Sequence, residues 1–153
     1  MKYYITYFYN IRFFKPYDIP FSTAIWDQPW FHEKKGNNHY FKDKNGVYNG
    51  LRISCLAPEP DNHECTNCWS DHDPTKCTFI QNYKKQLDEL DFDQVKWYLE
   101  TTANNIKAKE GFEEEPNIIL LVYEKPDNPC SERWPLKEYF KAHGIELEEW
   151  RKG

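Results

Sequence analysis

Asn117-Ile-Ile-Leu-Leu-Val-Tyr-Glu124, then Lys125-Pro-Asp-Asn-Pro-Cys130-Ser-Glu-Arg133, then the segment 134–143, decides how this chain is read. Ile118, Ile119, Leu120, Leu121, Val122 and Tyr123 form an unbroken apolar run. A strand with one wet face alternates, whereas a parallel strand covered on both faces is apolar throughout. The run therefore predicts a central strand over 117–123. Leu136, Tyr139, Phe140 and His143 then recur at helical spacing and Gly144 follows as a stop, which predicts a helix over about 131–143. Ile145 and Leu147 alternate with Glu146 and Glu148, the pattern of a further strand. Strand, loop, helix and strand make a βαβ unit, and anions bind such units where the loop meets the helix's amino end.

The rest of the chain fits one α/β domain over residues 1–153, a three-layer sandwich on a mostly parallel sheet. Two helices precede the central strand. In the first, Phe79, Tyr83, Leu87 and Leu90 share a face. In the second, Phe92, Val95, Leu99, Thr102 and Ile106 form a stripe. Asp91 with Gln94 three positions later reads as a capping box, and Gly111 as a stop. Tyr3-Tyr-Ile-Thr-Tyr-Phe-Tyr9 predicts the first strand, Phe21-Ser-Thr-Ala-Ile-Trp26 a second and Leu51-Arg-Ile-Ser-Cys-Leu56 another. Pro16 and Pro20 bracket a loop, and Asn45-Gly46 is suited to cap a hairpin. No repeat or low-complexity linker marks a second domain.

Charge is unevenly spread. Residues 1–54 hold eight Lys/Arg against four Asp/Glu, while the remainder hold twelve against twenty-one. The net charge of −5 argues against general nucleic-acid binding but leaves room for a local basic face in the first third. No apolar run reaches the ~18 residues of a membrane span, and the start lacks a signal peptide's pattern. The expectation is a cytoplasmic protein that does not enter a membrane.

Residues 55–77 are a polar insert rich in Pro, Asp and Asn, which have little apolar surface to bury. Cys65-x2-Cys68 and Cys77 give three thiols at zinc-ligand spacing, and His72 completes the set, with His63 and Cys55 as rival fourth ligands. A disulfide is the alternative for these cysteines, but an intracellular chain disfavours it. Four protein ligands leave no open position, so this zinc is expected to be structural. Trp69 in the same loop could stack on a base, although the loop carries more acidic than basic charge.

Two stretches resemble the domain of unknown function 488 family. One is Leu120-Leu-Val-Tyr-Glu-Lys-Pro-Asp-Asn-Pro-Cys130-Ser-Glu-Arg133, with a helix and His143-Gly-Ile after it. Family members show Leu-Leu-Cys-Tyr-Glu-Lys-Pro, then Cys-His-Arg, then a helix and Asn-Gly-Ile. The other comprises Tyr7-Phe-Tyr-Asn-Ile-Arg12 and Ile19-Pro-Phe-Ser-Thr-Ala-Ile-Trp26-Asp-Gln-Pro-Trp30-Phe31, which is similar to the family's first strand and its Ser-x-Ala-x-Trp-Pro-Pro-x-Trp-Phe segment. One departure is chemical: Cys-His-Arg becomes Cys130-Ser-Glu-Arg133, so the motif lacks its histidine. The cysteine-rich insert resembles variants from phage genomes, which would put the protein in a host cell's cytoplasm.

Glu124, Lys125, Cys130, Ser131 and Arg133 are expected to line one crevice, with Arg12 and Trp26 placed nearby by the family's motif. The leading reading is binding of an anionic, phosphorylated, nucleotide-like ligand by Arg133, Ser131 and the N–H groups of the helix's first turn. A second is a cysteine-dependent enzyme in which the helix dipole and Arg133 activate Cys130. A third is a phage protein that binds or sequesters a host defence component. Cys130 as a packing residue and Ser131 as a helix cap are the plain alternatives.

Overall fold

The computed structural model describes residues 1–25, 27–32, 40–59, 77–124 and 131–152. Four parallel strands lie in the order β2-β5-β1-β6, with β1 at Lys2–Tyr7, β2 at Asp18–Ser22, β5 at Asn117–Val122 and β6 at Glu148–Glu149. The central strand stands where its apolar run requires. β5 pairs with β1 on one side and β2 on the other, Ile119 facing Tyr4 and Pro20. Its five residues from Ile118 to Val122 have no exposed surface.

Alternation along β5 sorts two cores. Ile118, Leu120 and Val122 join Tyr3, Ile5, Ile19 and Phe21 under three helices: α1 (Thr78–Asp88), α2 (Phe92–Glu110) and α3 (Arg133–Ala142). Ile119 and Leu121 face the other way, onto Phe8, Ile11, Phe14, Phe31 and Val47. The layer on that second face holds no α-helix among the described residues. It is made from the 3₁₀ turns Phe8–Phe13 and Pro29–Phe31 with Val47 from the turn of a small hairpin, β3 (Phe41–Lys42) and β4 (Tyr48–Asn49), whose Tyr48 joins the helical side instead. Phe8, Ile11 and Phe14 recur every third residue, as a 3₁₀ helix needs to bury one edge.

Local chemistry sets the ends. Asp91 caps α2, its carboxylate accepting from the backbone N–H groups of Asp93 and Gln94, and Gly111 closes the helix at φ 73°. In the hairpin, Asp43 Oδ1 accepts from the Asn45 and Val47 N–H groups at 2.8 and 3.1 Å. Gly46 turns the chain at φ 80°, and a Cβ there would stand 3.3 Å from Pro16 Cγ. No helix among the described residues is long and apolar enough to cross a membrane.

Four strand expectations need correction. β1 stops at Tyr7, because Phe8 begins the 3₁₀ turn that carries aromatic bulk onto the sheet. The second strand is Asp18–Ser22, earlier than 21–26, with Pro20 inside it. The Ser22 N–H points away from β5 to Leu51 O at 2.8 Å. Pro20, two residues back, therefore turns its missing donor to the same unpaired side. The stretch 51–56 supplies one parallel bridge, Ser22 to Arg52, and then a 3₁₀ turn at Ser54–Leu56. The last strand is Glu148–Glu149 rather than 145–148, with Leu147 buried just before it.

Candidate functional site at the carboxyl edge of the sheet

β1 and β5 are neighbours whose chains leave their carboxyl ends toward opposite faces. Beyond Tyr7 the chain enters the 3₁₀ layer, whereas beyond Val122 it leads to α3 on the helical layer. This is the switch-point arrangement at which open parallel sheets hold ligands. Polar residues gather along that edge from three separate parts of the chain.

One half is centred on Asp27, whose side chain is almost wholly buried. Its Oδ1 accepts from Ser22 Oγ at the end of β2 and from Arg52 Nη1 at 2.6 Å. Its Oδ2 meets His32 Nε2. Arg52 is anchored by the Ser22 bridge and by a hydrogen bond from Nη2 to Ala24 O at 2.8 Å. Asp27 thus fixes a guanidinium, an imidazole and a hydroxyl at once.

The other half is built on the start of α3. Ser131 Oγ donates to Glu124 Oε2 at 3.1 Å and accepts the Arg133 N–H at 3.1 Å, so it caps the first turn while tying it to the end of β5. Arg133 is fully buried. Its Nη1 donates to Glu124 O at 2.9 Å and its Nε lies 2.5 Å from Glu149 Oε1, a carboxylate from β6 that Lys137 also approaches at 3.1 Å. Its Nη2 has no hydrogen-bond partner among the described residues, and neither does Oε2 of the buried Glu132.

Electrostatics joins the halves. Burial, and secondly the Glu124 carboxylate, push the Glu132 carboxyl well above the usual range, against the pull of Arg133 and Arg52. Burial also raises Glu124, opposed by hydrogen bonds to its carboxylate, Ser131's among them, and by Arg133. Desolvation lowers Arg133 from its ordinary value, with Glu149 acting most strongly in the opposite direction. Burial thus favours the protonated form of Glu132, which is held in the fields of two guanidiniums.

Of the site residues expected from sequence, Glu124, Ser131 and Arg133 do come together. Arg133 is enclosed and paired, not facing an open crevice, because Glu149 and the Glu124 carbonyl supply the partners that burial demands. Arg12 must be removed from this group. It lines a groove with Asp18 and Asn117, the first residues of β2 and β5, at the opposite end of the sheet. The Phe8–Phe13 turn runs the chain back along the sheet and carries it there. Trp26, Lys125 and Cys130 lie outside the described residues, as do Cys65, Cys68 and His72 of the expected zinc set, with the rival His63. Cys77 is buried at the amino end of α1, and no group of three or more metal-ligating side chains occurs among the described residues.

Sequence reasoning missed Arg52, Glu132 and Glu149, and gave no role to Asp27 or His32. The available signal was polarity inside apolar context: Arg52 between Leu51 and Ile53, and Glu132-Arg133 directly ahead of a buried helix face. Comparison with protein families, with curated proteins and with solved structures finds no match to this chain.

Proposed function

We propose that the carboxyl edge of the sheet binds a small anionic ligand of phosphorylated, nucleotide-like type. One observation carries this reading: a buried guanidinium nitrogen of Arg133 and a buried oxygen of Glu132 have no hydrogen-bond partner among the described residues at the switch point. A buried guanidinium N–H is a donor that phosphate oxygens accept from, and burial favours the protonated, donating form of the Glu132 carboxyl beside it. Arg52, partly exposed and held by Asp27, supplies the approach from β2. The test is calorimetric titration of the protein with inorganic phosphate and with nucleoside mono- and diphosphates. Arg52→Gln is expected to weaken the bound anion about 10- to 100-fold, on the ~1.5–3 kcal/mol scale of a charged hydrogen bond. Absence of binding by any of these anions would remove the reading.

The Asp27–His32 contact favours a second reading, proton transfer at the same edge. A buried carboxylate holding an imidazole is how a general base is oriented, and a histidine is what the Cys130 motif lacks. Alkylation of Cys130 that is fast at neutral pH and slows in His32→Gln supports a cysteine-dependent enzyme. Equal rates in both proteins count against it.

Structural zinc at Cys65, Cys68, Cys77 and His72 belongs to the same proposal and rests on ligand spacing. One equivalent of zinc by elemental analysis, lost with a drop in melting temperature in Cys65→Ser, is the expected result.

A further inference from the structure

At the amino end of the sheet a second, chemically different site is laid out in the open. Arg12, Lys15, Arg151 and Lys152 line a groove of about 620 Å³ together with Phe13 and Trp150. All four cations are exposed, and none forms an ion pair among the described residues. Asp18 is the one carboxylate among the lining residues. It is buried and committed, accepting from the Lys15 N–H and from Asn117 Nδ2 at 2.9 Å each.

The cations are interleaved with aromatic faces. The Arg12 guanidinium lies 3.6 Å from the centre of the Tyr9 ring, and its Nε is held by Tyr9 O at 3.0 Å. Lys152 Nζ sits 4.3 Å from the centre of Phe13. Tyr9, 46% exposed with Phe13 edge-on to it, carries the strip from the groove along the 3₁₀ layer toward Tyr7, the last residue of β1, nearly parallel to it at 5.9 Å. Residues of the basic first third and of the C-terminal stretch, separated by well over a hundred positions, thus share one strip. The net charge of −5 hides it.

We propose that this strip binds single-stranded nucleic acid. Unpaired cations track a phosphate backbone, and exposed rings beside them offer π-faces on which unpaired bases stack. A duplex keeps its bases stacked internally and has no use for the rings. An acidic peptide would use the cations but leave Tyr9 idle.

The experiment is fluorescence anisotropy with the full chain and a labelled oligothymidylate, alongside a duplex of equal length and inorganic polyphosphate as competitor. Four phosphate contacts predict that the logarithm of affinity falls against the logarithm of salt with a slope of about −3. Lys15→Glu combined with Arg151→Glu should weaken binding at least about tenfold. Tyr9→Ala should weaken it about fivefold or more, as loss of one stacking platform does. Unchanged melting temperatures show that the variants fold. Arg52→Gln should leave this binding untouched, which separates it from the anion site at the other end of the sheet. No binding at low salt, equal preference for duplex, or polyphosphate binding indifferent to Tyr9→Ala overturns the proposal.

Discussion

The two ends of one parallel sheet hold their arginines in opposite conditions. At the carboxyl edge Arg133 is fully buried, paired with Glu149 and the Glu124 carbonyl, and Arg52 is locked to Asp27. At the amino edge Arg12 and Arg151 are exposed and form no ion pair among the described residues, Arg12 lying on the Tyr9 ring. The same residue type thus does two kinds of work. A buried charge has lost its hydration and depends on every partner it keeps, whereas an exposed one stays solvated and is free to exchange water for a ligand. Fixed geometry belongs to the first end and electrostatic attraction to the second.

The largest test of this contrast is Arg133→Met, which strips Glu149 of its buried partner and should cost about 3–5 kcal/mol of unfolding free energy. Chemical denaturation checks it, and a loss below about 1 kcal/mol would erase the distinction between the two ends. Asp27→Ala comes next. It removes the carboxylate that Arg52, Ser22 and His32 share, so a loss of about 2–3 kcal/mol is expected by the same measurement.

A third test uses pH. Glu132's folded-state pKa lies well above its unfolded value, so the folded state holds a proton that the unfolded state gives up first. Its stabilising contribution is therefore complete below the ordinary carboxylate range and declines as pH rises toward the folded value. Glu124 is shifted the same way. Glu132→Gln removes the larger part of this dependence. Melting temperatures taken from mildly acidic to neutral pH should fall less steeply in the variant than in the parent. Exposed Glu110 and Glu115, lowered by Lys42 and by the amino terminus, act in the opposite sense and are unchanged by the substitution.

The smallest effect is expected at the open end. Arg151→Gln and Lys15→Gln should each alter stability by no more than about 0.5 kcal/mol, since neither side chain is buried or ion-paired among the described residues. A larger loss would mean that the amino-end groove, too, serves the fold.

Much of this architecture is legible along the chain. The unbroken run from Ile118 to Val122 could only be a doubly covered strand, and α2 carries its own cap at Asp91 and its stop at Gly111. The parts that misled were those where a neighbour overrides local preference. Pro20 reads as a break, yet it sits in β2 because its position faces the side without a pairing strand. Tyr7 to Tyr9 is uniformly rich in strand formers, yet Phe8 turns into a 3₁₀ helix because the second face of the sheet needs its bulk. Arg12, adjacent in the motif to the first strand, was carried by that turn to the far end.

By itself, then, the sequence determined the layers, the central position of β5 and the helix termini. These follow from periodicity and capping, which are set by residues a few positions apart. Only the tertiary structure decided which charges would meet. Asp27 with Arg52, Arg133 with Glu149, and Arg12 beside Lys152 are pairings across 25, 16 and 140 positions. They are fixed by strand order and by which face each connection crosses, and the resulting burial, not residue type, separates an arginine held in fixed geometry from one that stays solvated.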